Sequence, residues 1–178
     1  GHGGPLSIKF QVPGGSTSGG LTADIGSGHT HVYLKWWWYM DSTTNSSGNG
    51  CHGFRVSQRL GDVYNQHEFD TLPDGTGGGG ALSWGFDVLD PPIYEPNGPQ
   101  SICSLLKNQW FLWEVELTLG TSGNADGSVR VGVNGSVVYN NPAIQFKGVG
   151  SMWAGFDTFQ LHSNWDNGTA LWFSNQIE

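Results

Sequence analysis

His29-Thr30-His31-Val32-Tyr33-Leu34-Lys35-Trp36-Trp37-Trp38-Tyr39-Met40 is the stretch whose period settles the fold. In an extended chain successive side chains point to opposite faces. One face then collects Val32, Leu34, Trp36, Trp38 and Met40, all apolar. The other collects His31, Tyr33, Lys35, Trp37 and Tyr39. A helical period would scatter both sets around the axis. The stretch predicts a strand with one core face, and the two indoles on that face call for a deep sandwich. Its second face is unusual. A solvated strand face carries Lys, Glu, Thr and Ser; this one carries ring planes with hydrogen-bonding tips.

The same period of two recurs on both sides. Pro5 to Val12 puts Leu6, Ile8, Phe10 and Val12 on one face. Phe54 and Val56 alternate with Arg55, Ser57 and Arg59 in a strand predicted from Gly53 to Leu60. Phe111, Trp113, Val115 and Leu117 alternate with Glu114, Glu116 and Thr118 between Trp110 and Leu119. Val129, Val131 and Val133 alternate with Arg130 and Gly132. Asn134-Gly135 follows, a pair that favours the positive φ a type I′ hairpin needs. Val137 to Tyr139 reads as the returning strand. Leu82 to Leu89, Gly155 to His162 and Ala170 to Ile177 are further strands, and Asp62 to Thr71 is a further segment.

Pro13 to Gly20, Pro73 to Gly80 and the proline-rich Asp90 to Gln100 read as breaks. Ser101 to Lys107 is the best short helical candidate. The sum is about eight to ten strands, each with one apolar face. Such strands bury those faces against each other. The expected fold is all-β, a two-sheet antiparallel β-sandwich of the jelly-roll kind, as one domain over 1–178.

Composition narrows the partners. Of 178 residues, 29 are Gly and only 12% are charged, against ordinary values of about 7% and about 25%. Nine Trp argue against disorder. The net charge of −8, without a Lys/Arg cluster, disfavours nucleic acid. No apolar run is long enough for a membrane span. Cys51 and Cys103 permit one disulfide; two buried free thiols are the alternative. N-x-[ST] sites at Asn45, Asn134 and Asn167 are N-glycosylation candidates. Together with the scarcity of Lys they point to a secreted, extracellular glycoprotein.

The outward positions carry the candidate chemistry. Were the central strands neighbours, one sheet would present Tyr33, Lys35, Trp37, Tyr39, Arg55, Arg59, Glu114, Glu116 and Arg130 together. Rings give flat apolar platforms for the C–H faces of sugars, and an Arg fork matches a uronate carboxylate. A sheet face packed beneath loops is the competing reading.

Trp113-Glu114-Val115-Glu116-Leu117, Gly123-Asn124-Ala125-Asp126-Gly127-Ser128-Val129-Arg130-Val131 and Val133-Asn134-Gly135 resemble the W-x-x-E…G-x-x-D-G-x-x-x-x-W-x-[ND]-G run of concanavalin A-like (laminin-G-like) jelly rolls. That run is common in secreted polysaccharide lyases. Leu171 to Ile177 is similar to the closing strand of such folds, and His31 to Met40 to an early central strand. Gly132 departs from the pattern, which has Trp there. The resemblance implies a glycan held on one concave sheet.

A lyase acting on a uronate needs a carboxylate neutraliser, a base and an acid. Arg55 and Arg59 are neutraliser candidates; His31, His67, Tyr39 and Tyr64 are proton-carrier candidates. Glu114 and Glu116, about 6.5–7 Å apart along one strand face, suit a retaining hydrolase less well. The E-x-D-x-x-E pattern of glucanases with this fold is incomplete here. No cofactor is required. Asp24, Asp87, Asp157, Asp166 and Asn175 are the candidate oxygen donors should a structural calcium ion be held.

The sequence thus leads to an extracellular carbohydrate-binding domain that holds polysaccharide on its aromatic sheet face. A polysaccharide lyase using the same face is the alternative. Third is a structural subunit that self-associates, through edge strands such as Leu6–Val12, into a fibre or surface assembly.

Overall fold

The computed structural model describes residues 7–11, 19–40, 51–60, 63–73, 79–89, 92–94, 100–106, 108–151, 153–164 and 170–177, with side chains within 23–39, 108–151 and 153–159. Thirteen strands are described. They are β1 (Ser7–Gln11), β2 (Gly19–His29), β3 (His31–Met40), β4 (Cys51–Leu60), β5 (Val63–Pro73), β6 (Gly79–Leu89) and β7 (Pro92–Tyr94). Then follow β8 (Gln100–Leu106), β9 (Gln109–Thr118), β10 (Gly127–Val133), β11 (Ser136–Ile144), β12 (Phe156–Asn164) and β13 (Ala170–Ile177). The first sheet runs β1-β13-β3-β9-β10-β11. The second runs β2-β12-β4-β5-β6-β7, with β8 also pairing β6. Every pairing is antiparallel. The fold is the expected two-sheet β-sandwich.

The alternation in β3 holds. Val32, Leu34, Trp36 and Trp38 are buried, while His31 and Tyr33 are exposed and Lys35, Trp37 and Tyr39 half-buried. β9 continues the pattern: Phe111, Trp113, Val115 and Leu117 face the core. Phe159 on β12 meets Trp36 at a ring separation of 5.9 Å, joining the sheets. Trp113 stacks on Trp36 at 6.3 Å and tilts against Trp38 at 5.7 Å. A ring of this kind removes about 150–250 Å² from water, roughly 4–6 kcal/mol each before entropy is subtracted.

The β10–β11 hairpin turns where Asn134-Gly135 predicts it. Both residues have positive φ, 51° and 79°, as a type I′ turn requires. Asn134 also ties the turn to β9. Its backbone N–H donates to the Leu112 carbonyl and its Oδ1 accepts the Leu112 N–H, both at 2.9 Å.

Several expectations are corrected. Ser101 to Leu106 is not helical; Gln100–Leu106 is β8, held by ladder bonds to β6, and Lys107 lies outside the described residues. The glycine-rich break ends at Gly19, where β2 begins, and β2 is separate from β3. The proline-rich loop contains the short β7, and β6 already begins at Gly79.

The register also bears on the two cysteines. Cys51 pairs with Thr71, Thr71 with Leu82, and Leu82 with Cys103. The two cysteines therefore share one row, three strand spacings or about 14 Å apart. A bridge needs Cα atoms within about 7 Å. Two thiols, the alternative, fit this register. Asn45 and Asn167 lie outside the described residues.

Candidate functional site

Two faces emerge where the sequence suggested one. β3, β9 and β10 neighbour one another in the first sheet, so Lys35 registers with Glu114, Tyr33 with Glu116, and Glu116 with Arg130. Arg55 and Arg59 belong to β4, in the second sheet. They are not on the aromatic face. A sandwich turns its two outer faces away from each other, and alternation along a strand says nothing about which sheet the strand joins.

On the first face the polar tips form a network. Tyr33 Oη donates to Glu114 Oε1 at 2.6 Å. His31 Nε2 lies 3.0 Å from Glu116 Oε1, and Arg130 Nη1 lies 3.7 Å from Glu116 Oε2. The Glu114 side chain lies in contact with the Gly132 position. A Cβ there would come within 3.4 Å of the Glu114 Cβ and 3.5 Å of its Oε2. The hydrogen bond to Glu114, then partial burial, then the Glu114 charge push the Tyr33 phenol up to about 12 from 10.0. A phenol so raised is a poor proton acceptor near neutrality.

The other end of this face is aromatic. The rings of Tyr39 and Trp110 lie 5.3 Å apart at 45°, and Tyr39 Oη donates to Asn108 Oδ1 at 3.4 Å. Trp172 registers with Tyr39 from the other side, on β13. Trp110 and Trp172 were readable as outward from parity with Phe111 and Phe173, and the sequence reading passed over both.

On the second sheet, register places the remaining candidates. Val56 pairs with the buried Phe159, and His67 pairs with Val56, so His67 belongs to the core row. Arg55 belongs to the alternate row, between Gln160 and Glu68. Glu68 in turn registers with Gly85. Arg59 registers with Tyr64, and Ser57 with Gln66, which pairs with Asp87. The irregularity between His52 and Phe54 brings His52 opposite Asp70, onto the same row set. His52 had no signal of its own in the sequence and Asp87 was read only as a calcium donor; the ladder gathers them on one row set with Gln66.

No family model and no curated protein sequence matches this chain. Solved structures do. The alginate lyase Aly36B, solved as a mutant with an alginate trisaccharide, is 18% identical, with a TM-score of 0.68 over 96% of this chain and 80% of that one. The fold is that of the polysaccharide-lyase jelly rolls. An endo-β-1,4-glucuronan lyase from the fungus Trichoderma reesei gives 0.67 at 9% identity, covering 94% and 78%. The alginate lyase vAL-1 from a Chlorella virus gives 0.66 at 14%, covering 97% and 84%. The expected concanavalin A-like architecture is thus present from β1 to β13.

Metal chemistry finds no cluster. Among the described residues no three His, Cys, Asp or Glu side chains gather around one point. Asp24 Oδ1 accepts the Gly26 N–H at 2.8 Å, and Asp157 Oδ1 accepts the Thr158 hydroxyl at 2.7 Å. Asp166 lies outside the described residues. Among those residues no helix is long and apolar enough to cross a membrane.

Proposed function

We propose that this chain is a polysaccharide lyase acting on a uronate-containing polymer, with the polymer lying across the outer face of the second sheet. One observation carries the reading. The ladder of that sheet sets Arg55, Arg59, Tyr64, Gln66 and Glu68 in alternation with the core row, beside the small residue Gly85. The likeness in fold to alginate and glucuronan lyases supports it.

The chemistry needs three functions. Arg55 and Arg59 neutralise the uronate carboxylate, which acidifies the adjacent C–H. A base takes that proton; the electron pair forms the new C=C bond, and the C–O bond to the neighbouring sugar breaks. An acid returns a proton to the departing oxygen. Tyr64, register partner of Arg59, is the proton carrier. His52, opposite Asp70, is the second proton-carrying residue on the face.

Incubation with alginate, glucuronan and other polyuronates tests the reading through the ultraviolet absorbance of an unsaturated uronate product. Tyr64→Phe is expected to abolish product while the polymer is still retained on an affinity gel. Arg55→Ala is expected to lose both. No product on any polyuronate removes the lyase, and retention without product leaves a carbohydrate-binding domain.

A further inference from the structure

We propose that the outer face of the first sheet is a second carbohydrate site, on the side of the sandwich away from the uronate site, and that it holds an uncharged polysaccharide. The argument begins with shape. Tyr39 and Trp110 sit on adjacent strands with ring centroids 5.3 Å apart. Trp172 registers with Tyr39 on the third strand, so one row across β13, β3 and β9 is aromatic at every position. Neighbouring strands stand about 4.8 Å apart. Trp37 lies two residues along β3 from Tyr39, half-buried and in the same alternation. These rings extend in two directions over one sheet, a platform for several sugar rings in succession.

Charge then chooses the ligand. Beside the rings lie Tyr33, Glu114, Glu116 and Arg130, with Lys35 in register with Glu114. At this end two carboxylates face Lys35 and Arg130, so its formal charge is nil, in a chain of −8; Lys9 on β1 joins the face at the far end of the aromatic row, in register with Trp172. Glu116 is already approached by His31 and Arg130, and Glu114 by the Tyr33 hydroxyl. Among the described side chains at this end no cation is set apart to meet a uronate carboxylate, and Glu114 and Glu116 would repel one. Carboxylates are strong acceptors for hydroxyl donors, which a neutral sugar supplies. Tyr33 is 45% exposed, so the polar end is open to solvent.

Affinity electrophoresis tests this, in gels containing hydroxyethyl cellulose, laminarin, galactomannan or xylan, with alginate as the charged comparison. The wild-type chain is expected to be retarded in at least one neutral gel. Trp37→Ala and Trp110→Ala are each expected to weaken that retardation roughly five- to tenfold, as the loss of one ring contact predicts. Trp37→Phe, which keeps a ring, recovers most of it and separates loss of contact from loss of folding. Product formation on polyuronates stays at the wild-type level in Trp37→Ala. Absence of retardation in every neutral gel overturns the proposal, as does wild-type retardation in both Ala variants. Loss of neutral retention in Arg55→Ala also overturns it, because the sugar would then lie on the second sheet. Neutral retention without lyase product sinks the lyase reading alone; lyase product without neutral retention sinks this one alone.

Discussion

Tyr33 shows how much one neighbour fixes at the scale of a residue. Its hydroxyl donates to Glu114 at 2.6 Å, and its titration moves from 10.0 up to about 12. Glu114→Gln removes the charge and keeps the shape, so the titration is expected to fall back towards 10.0. Ultraviolet phenolate titration reads it; an unmoved Tyr33 would mean that Glu114 is not the cause. The sign for stability follows by linkage. Below the unfolded value Tyr33 is protonated in both states, and its contribution is complete. As pH rises from 10.0 to about 12, the unfolded chain ionises first and that contribution is lost. Denaturation midpoints across this window are expected to fall more steeply for wild type than for Glu114→Gln. Trp113 tests the opposite environment. It is 1% exposed between Trp36 and Trp38, so Trp113→Ala is expected to cost about 3–5 kcal/mol in urea denaturation. A loss below about 1 kcal/mol would be incompatible with the packing described.

Among the elements, the β10–β11 hairpin carries the sharpest test. Asn134 supplies both a positive φ and an acceptor for Leu112. Asn134→Ala loses both and is expected to cost roughly 1–3 kcal/mol. Asn134→Gly keeps the conformation and costs less. Ser136→Ala removes the glycosylation sequon and leaves the turn, so thermal melting of the unglycosylated chain stays within about 0.5 kcal/mol of wild type. Equal losses in the Ala and Gly variants would deny the turn its role. This hairpin was legible in sequence because its turn chemistry and flanking valines agree. β3 and β9 were legible because one face of each is wholly apolar. β2 was not. Gly19–His29 holds four glycines, and as an edge strand it pairs only β12, so no strict alternation is imposed on it. β8 was misread because Gln100–Leu106 is short and its apolar residues fit either period.

The whole molecule depends on which strands share a sheet, and this was the part of the site that local pattern does not encode. The outward rows of β3, β9 and β10 were readable residue by residue, and so were Arg55 and Arg59 on β4. Their separation into two sheets follows from long-range pairing, set by the crossover order β1-β13-β3-β9 against β2-β12-β4-β5. The same order separates Cys51 from Cys103, so thiol titration of the denatured, unreduced monomer is expected to find two free thiols. A value of zero would restore the bridge and contradict the register. Charge at this scale gives a further expectation for catalysis. The chain carries −8 overall, so a polyuronate approaches against a long-range repulsion while the cations that receive it act only at short range. The screening length falls from about 30 Å at 0.01 M salt to about 10 Å at 0.1 M. Over that range the repulsion is screened while contact pairs largely survive, so KM for a polyuronate is expected to fall several-fold. Higher salt then weakens the Arg55 and Arg59 contacts, and KM rises again. Retention of a neutral polymer stays flat throughout, because neither effect acts on it. A KM that climbs steadily from the lowest salt would mean that the second face presents a positive field strong enough to outweigh the net charge.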